Sequence, residues 1–176
     1  MPGTLFLVAG PSGAGKDALI GAARDVLEPN GTHLFPRRTI TRPVIERDEE
    51  HFALDAATFD ARERAGAFAL SWRAHGLAYG IPASIEGDLQ RGAHVVVNVS
   101  RAVVTHARTR FAPVRVIEVT APAPVLAARL RSRGREDAAD VAFRLAREAP
   151  FEADAVVVND GSLYAAVAQF LAALRG

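Results

Sequence analysis

The chain contains no cysteine, one methionine, one tryptophan and two tyrosines in 176 residues. Without cysteine there can be no disulfide, no thiolate metal site and no cysteine nucleophile, which suits a reducing compartment and makes the cytoplasm the expected location. No run of about 18 consecutive apolar residues occurs, so no membrane-spanning helix is expected. Met1-Pro2-Gly3-Thr4 leads into a short apolar run with no basic segment before it, unlike a signal peptide. Excess charge is also missing: the formal net charge is +1, and nothing in that balance asks for a nucleic acid or membrane partner. Any anion site must therefore be local. Lysine is the scarcest of the charged residues, since Lys16 is the only one and every other side-chain cation outside the histidines is an arginine.

What is present is ample core material. With 49% of residues hydrophobic and 23% charged, generic disorder is excluded, and the length fits one domain spanning residues 1–176. Four runs have the continuous apolar, β-branched character of strands buried on both faces: Leu5 to Ala9, His94 to Val99, Val114 to Thr120 and Ala155 to Val158. Helical patterns follow them at Lys16 to Leu27, Arg101 to Arg110 and Pro122 to Arg133, and after Ser162, where Leu163, Val167, Phe170, Leu171 and Leu174 form one stripe. Strand alternating with helix predicts an α/β fold with a parallel sheet covered on both sides. Thr32 to Gly92 breaks the rhythm and reads as an inserted subdomain with a short helix at Thr58 to Ala65. Arg129 to Arg147, with Gly134 near its middle, reads as a helix, hinge and helix that could form a lid.

Gly10-Pro11-Ser12-Gly13-Ala14-Gly15-Lys16 lies between the first strand and the first helix. In that context the pattern predicts a phosphate-binding loop, with backbone N–H groups turned inward, the helix N-terminus adding positive potential, and Lys16 reaching the β and γ phosphates of a nucleotide. Asp17 stands where such loops carry Ser or Thr for Mg²⁺. It could serve the metal as a hard oxygen ligand, or it could simply favour the helix dipole. Arginines that could meet phosphate oxygens are Arg38 and Arg42 in the insert and Arg129, Arg131, Arg133, Arg135, Arg144 and Arg147 in the lid. No general base is evident, since Asp48, Glu49, Glu50 and His51 read as a solvated turn. An acceptor that is itself a phosphate would need none. The five histidines show no zinc-type spacing, and His94 and His106 read as structural.

Taken together, the loop, Thr39-Ile40-Thr41-Arg42-Pro43, Gly66-Ala67-Phe68, Tyr79-Gly80 and Arg133-Gly134-Arg135-Glu136 resemble the guanylate kinase family over essentially the whole chain. The resemblance implies a P-loop kinase with a five-stranded parallel sheet and flanking helices, an acceptor-binding insert at about 32–92 and an arginine-rich lid at about 129–147. Two features depart from that family. Leu70 takes the place of a guanine-reading glutamate, and Val97-Asn98-Val99-Ser100-Arg101 replaces a strand end with two acidic residues.

A narrower resemblance accounts for these departures. Gly13 to Asp17, Ile40 to Pro43, Glu50-His51, Phe68 to Trp72, Ala74 to Leu77, Tyr79 to Pro82, Val95 to Asn98 and Ser100-Arg101 resemble the ribose 1,5-bisphosphate phosphokinases of bacterial phosphonate breakdown, which carry Asp at position 17. This implies transfer of a phosphoryl group from ATP, with Mg²⁺, to ribose 1,5-bisphosphate. Gly10, Pro11, Ser12, Gly13, Ala14, Gly15, Lys16 and Asp17 would bind the ATP phosphates, with Asp17 as metal ligand and Lys16, Arg133 and Arg144 as catalytic cations. Arg38, Arg42, His51 and Tyr79 would hold an acceptor phosphate, and His75, Asn98, Ser100 and Arg101 the sugar and its second phosphate. The implied partners are ATP and a small sugar phosphate. The oligomeric state stays open, a homodimer being one option. A guanylate-type nucleoside monophosphate kinase and a catalytically silent domain of the same fold remain the alternatives.

Overall fold

A computed structural model describes residues 1–42, 51–132 and 151–176. Arg133, Arg144, most of the expected lid and the charged turn from Glu46 to Glu50 lie outside the described residues.

The central strand β1, Leu5–Ala9, is buried along its whole length. It pairs in parallel with β7, His94–Asn98, on one side and β8, Val114–Thr120, on the other; β2, His33–Leu34, and β9, Ala155–Val158, complete a five-stranded sheet in the order β2-β7-β1-β8-β9. Side-chain alternation along β1 serves two cores. Phe6 and Val8 join Leu19, Val96, Val119 and Phe170 beneath α1, Lys16–Leu27, and α6, Leu163–Arg175. Leu5 and Leu7 join Leu70, Ile81, Val95, Val97 and Val116 on the opposite face, near α3, Ile85–Gln90, and α4, Val104–Arg110. Each large apolar side chain withdrawn from water here contributes about 1.5–3 kcal/mol. The remaining long helix, α5, is Ala123–Ser132.

Helix details differ from the sequence pattern in two places. The expected Arg101 to Arg110 helix begins as a 3-10 turn, Arg101–Val103, and becomes α-helical only at Val104. Ser162 does occupy the N-cap of α6 but accepts no capping hydrogen bond, and Leu163 is 49% exposed rather than part of the buried stripe of Ala166, Phe170 and Leu174. His94 is structural as expected, its Nδ1 accepting from the Thr4 N–H at 3.0 Å, whereas His106 lies exposed on α4. No helix among the described residues is long and apolar enough to cross a membrane.

The inserted segment folds as a second sheet, in the order β4-β3-β6-β5, made of β3, Arg38–Ile40, β4, His51–Ala53, β5, Phe68–Ala74, and β6, Leu77–Pro82. β3 runs parallel to β4 and antiparallel to β6. β5 and β6 form a hairpin whose two-residue turn, His75-Gly76, has positive φ at both positions, 53° and 74°, as a type I′ turn requires. The helix α2, Ala56–Arg64, starts at Asp55, whose carboxylate accepts from the Thr58 N–H at 2.8 Å, and buries Phe59.

α2 is tied to β5 by Arg73, which reaches both oxygens of Glu63 at 3.0 and 2.6 Å and Asp60 at 3.1 Å. That hydrogen-bonded guanidinium holds the Glu63 carboxyl down at about 2. Because the folded value lies below the ordinary 4.5, the stabilisation is fully present above pH 4.5 and is lost as the pH falls toward 2. Arg73 is half exposed, so solvent screening limits the pair to about 1 kcal/mol. Glu63→Gln is expected to lower the melting temperature at pH 7 and to flatten its decline over that acid interval. Unchanged acid sensitivity in thermal melts would exclude this pair as the source.

Candidate active site

The carboxyl end of β1 runs directly into the loop at residues 10–15. Gly10 has φ 147°, and a Cβ there would come within 2.0 Å of the Val119 carbonyl oxygen of the neighbouring strand. Gly15 has φ 90° at the N-cap of α1, and a Cβ there would meet the Asn159 amide nitrogen at 2.5 Å. These close approaches bring the loop into register with the sheet and leave its amides at the start of α1, where a helix favours an anion. The Lys16 ammonium donates to the carbonyls of Gly10 at 2.7 Å and Pro11 at 2.9 Å, which holds it across the loop mouth. Asp17, in the first turn of α1, has a side chain 57% exposed.

The insert faces this loop across two adjoining cavities of about 430 and 420 Å³, both lined by Ser12, Lys16, Arg38, His75 and Tyr79. The first also takes in Asp17, Arg42, His51 and Asn98, and the second Trp72, Ser100 and Arg101. Every expected acceptor-side residue thus lies on one of the two walls, although 98, 100 and 101 come from the main sheet and 38, 42, 51, 75 and 79 from the insert. Gly13 and Gly15 line the first cavity and Gly10 the second. Pro11 and Ala14 are buried beneath the loop.

Arg38 is the hub. It is only 16% exposed, and its guanidinium lies 2.8 Å from His51 Nε2, 3.4 Å from the Asn98 carbonyl, 3.9 Å from Asp17 Oδ1 and 5.8 Å from the centre of the Tyr79 ring. A guanidinium can only donate, so His51 Nε2 accepts and the imidazole proton sits on Nδ1. From the end of β7 to the first turn of α1, Asn98 Nδ2 donates to Asp17 Oδ1 at 2.7 Å. Arg101 is shared between the cavity, Glu118 at 3.2 Å and the Phe151 ring at 5.2 Å. Ser100 caps the 3-10 turn, its Oγ accepting from the Ala102 N–H at 3.4 Å.

Several contributors escaped the sequence reading. Asn159, buried at the end of β9, donates to the Ala14 carbonyl at 2.8 Å and buttresses the loop from below. Trp72 stacks on Tyr79 with ring centres 5.2 Å apart and planes within 4°, a cross-strand pairing visible only once the hairpin register is known. Arg129 on α5 donates to the Gly13 carbonyl at 3.3 Å, whereas Arg131 bonds back to its own helix at Ala127. Leu70 is 1% exposed within the apolar core and turns no polar group toward either cavity.

Chemically, the arrangement pairs an anion cradle with a second cationic wall a short distance away. Mg²⁺ fits the donor chemistry present. Asp17 offers a hard carboxylate oxygen at the loop mouth, and a magnesium ion ordinarily takes one or two carboxylates together with substrate phosphates. No family model matches the chain. Ribose 1,5-bisphosphate phosphokinase PhnN of Acidiphilium cryptum is 55% identical over 98% of this chain and 92% of its own length. The protein of the same name from Methylobacterium radiotolerans is 47% identical over 99% of both chains. Among solved structures, a guanylate kinase from Anaplasma phagocytophilum superposes with a TM-score of 0.69 at 17% identity, covering 99% of this chain and 85% of that one; this likeness establishes the P-loop kinase fold. Identity at these levels over nearly the full length, on a fold whose loop and facing wall are built as described, makes the chain a member of the ribose 1,5-bisphosphate phosphokinase family.

Proposed function

We propose that the chain transfers the γ-phosphoryl group of ATP to the 1-phosphate of ribose 1,5-bisphosphate, giving ADP and 5-phosphoribosyl 1-diphosphate. The observation that carries this reading is the lining of the joined cavities. Arginine, histidine, hydroxyl and amide groups gather there, and Asp17 is the one carboxylate among the described residues on either wall. Such a wall suits an acceptor with two anionic groups, and among the described residues it offers no acidic reader for a base.

The chain's own groups then divide the work. Loop amides from Gly10 to Lys16 and the Lys16 ammonium hold the β and γ phosphates in line. Arg38, Arg42, Tyr79 and the Nδ1–H of His51 hold the phosphate that accepts, while His75, Ser100 and Arg101 hold the other end of the sugar. An oxygen of the 1-phosphate bonds to the γ phosphorus as the bond from that phosphorus to the bridging oxygen breaks, and the electron pair leaves on ADP. No base is needed, because a phosphate monoester with a second pKa of about 6 is already largely dianionic at neutral pH. Mg²⁺, when bound, neutralises charge on the β and γ oxygens, with Asp17 as its protein ligand. Arg133 and Arg144 are assigned as lid arginines on family resemblance.

A side-by-side ADP-release assay with ATP and Mg²⁺ tests the acceptor. Ribose 1,5-bisphosphate is expected to be preferred over GMP by about two orders of magnitude in kcat/KM, since an apolar residue in a base-reading position forfeits selection of this size. Preference for GMP would overturn the assignment and leave the fold and the loop untouched.

A further inference from the structure

Phosphate-loop enzymes generally hold Mg²⁺ with a loop Ser or Thr and an Asp at the end of a neighbouring strand. Here the loop position is Asp17, and the strand end that faces it is Asn98. β7 lies beside β1 with Val8 opposite Asn98, and from that strand end the Asn98 amide reaches the first turn of α1, donating to Asp17 Oδ1 at 2.7 Å, a contact between residues 81 apart in the chain. The carboxylate and its hydrogen-bonding partner have changed places: the negative charge stands on the loop and the neutral group on the strand. The number of carboxylates at the pair remains one, which keeps the charge offered to a divalent cation the same.

We propose that Asn98 is a positioning residue for the metal-binding carboxylate, holding Asp17 through Oδ1 so that Oδ2 is presented to the cation, rather than a contact to the acceptor. This inference rests on the nucleotide half of the function proposed above and is independent of which acceptor is used. Three features support it. Among the described residues Asp17 Oδ2 has no hydrogen-bond partner, while Oδ1 takes the Asn98 amide and lies 3.9 Å from Arg38. An aspartate in the exposed first turn of a helix has rotamer freedom, which one short hydrogen bond removes at little cost. An aspartate at 98 would set two carboxylates against each other at this distance, and an amide avoids that repulsion.

The test measures metal binding in the absence of any acceptor. Mn²⁺ is titrated into the protein–ATP complex and followed by electron paramagnetic resonance, alongside the affinity for ATP in EDTA. Asn98→Ala is expected to weaken Mn²⁺ binding in the complex by about tenfold, the usual scale for losing a group that orients a ligand, and to leave metal-free ATP affinity within about twofold. Asp17→Asn should lose more, and the exchange variant Asp17→Asn/Asn98→Asp should recover most of that loss by restoring one carboxylate and one amide in swapped positions. Unchanged Mn²⁺ affinity in Asn98→Ala with a raised acceptor KM would overturn the proposal and return Asn98 to the acceptor. An exchange variant that folds, by its melting curve, and binds Mn²⁺ no better than Asp17→Asn would also overturn it. If the wild-type chain bound no ATP at all, the functional reading itself would fail, an outcome distinct from both.

Discussion

Lys16→Ala is expected to lower kcat/KM for phosphoryl transfer by about three orders of magnitude, the upper end of what removing one preorganised donor costs. The effect should be large because the substituted charge has no understudy: no second lysine exists in the chain, and an arginine's planar fork does not replace a compact ammonium at a point between two phosphates. The ammonium also stitches the loop through the Gly10 and Pro11 carbonyls, so ATP affinity should fall together with the chemical step. Single-turnover ADP formation and calorimetric titration with Mg·ATP separate the two effects. Full ATP affinity combined with full turnover in the variant would exclude the loop as the nucleotide site. Far-ultraviolet circular dichroism should be unchanged, since Lys16 contributes nothing to the apolar cores.

Arg38→Ala is expected to cut kcat/KM for the acceptor by about 10²–10³ while changing the dissociation constant of Mg·ATP by no more than about threefold. Hydrogen bonds to charged groups contribute about 1.5–3 kcal/mol each, and a guanidinium facing both cavities can make two such bonds to a bisphosphate. Its loss also leaves His51 Nε2 without the donor that fixes its tautomer. Arg38→Lys should not rescue, because a lysine cannot reach His51, the Asn98 carbonyl and a phosphate from one planar group. If ATP affinity fell as steeply as acceptor use, Arg38 would be acting mainly as a clamp on Asp17, and the acceptor role would have to be withdrawn.

The parts of this fold legible in the sequence are those governed by local pattern. The strands at residues 5–9, 114–120 and 155–158 and the helix at 16–27 have the boundaries their apolar runs and glycines imply; for the central strand this is because burial on both faces leaves no polar alternation to blur it, whereas 155–158, expected to be buried on both faces, is an edge strand with Val156 and Val158 exposed. The fifth strand of the parallel sheet, at the edge, has two residues and leaves no periodic trace. The hairpin of β5 and β6 was legible only as a break in rhythm, since its turn uses His75 where Asn or Asp is usual. At the site, the loop was readable because its conformation demands glycine at fixed spacing. The network of Asp17, Asn98, Arg38 and His51 was readable only as separate polar residues. Their union depends on strand order and on how the insert faces the main sheet, neither of which a single sequence encodes in local spacing.

The stacked pair on the wall proposed for the acceptor has an optical consequence. Trp72 is the chain's only indole, and it lies face to face with Tyr79 beside the second cavity. Under excitation at the red edge of the indole band, where the two tyrosines do not absorb, the emission of the whole molecule therefore comes from one chromophore set against the cavity proposed for the sugar phosphate. Occupancy of that cavity can be followed by intrinsic fluorescence in a stopped-flow instrument, with no label and no coupling enzyme, so the order in which nucleotide reaches the loop and acceptor reaches the wall proposed for it can be timed.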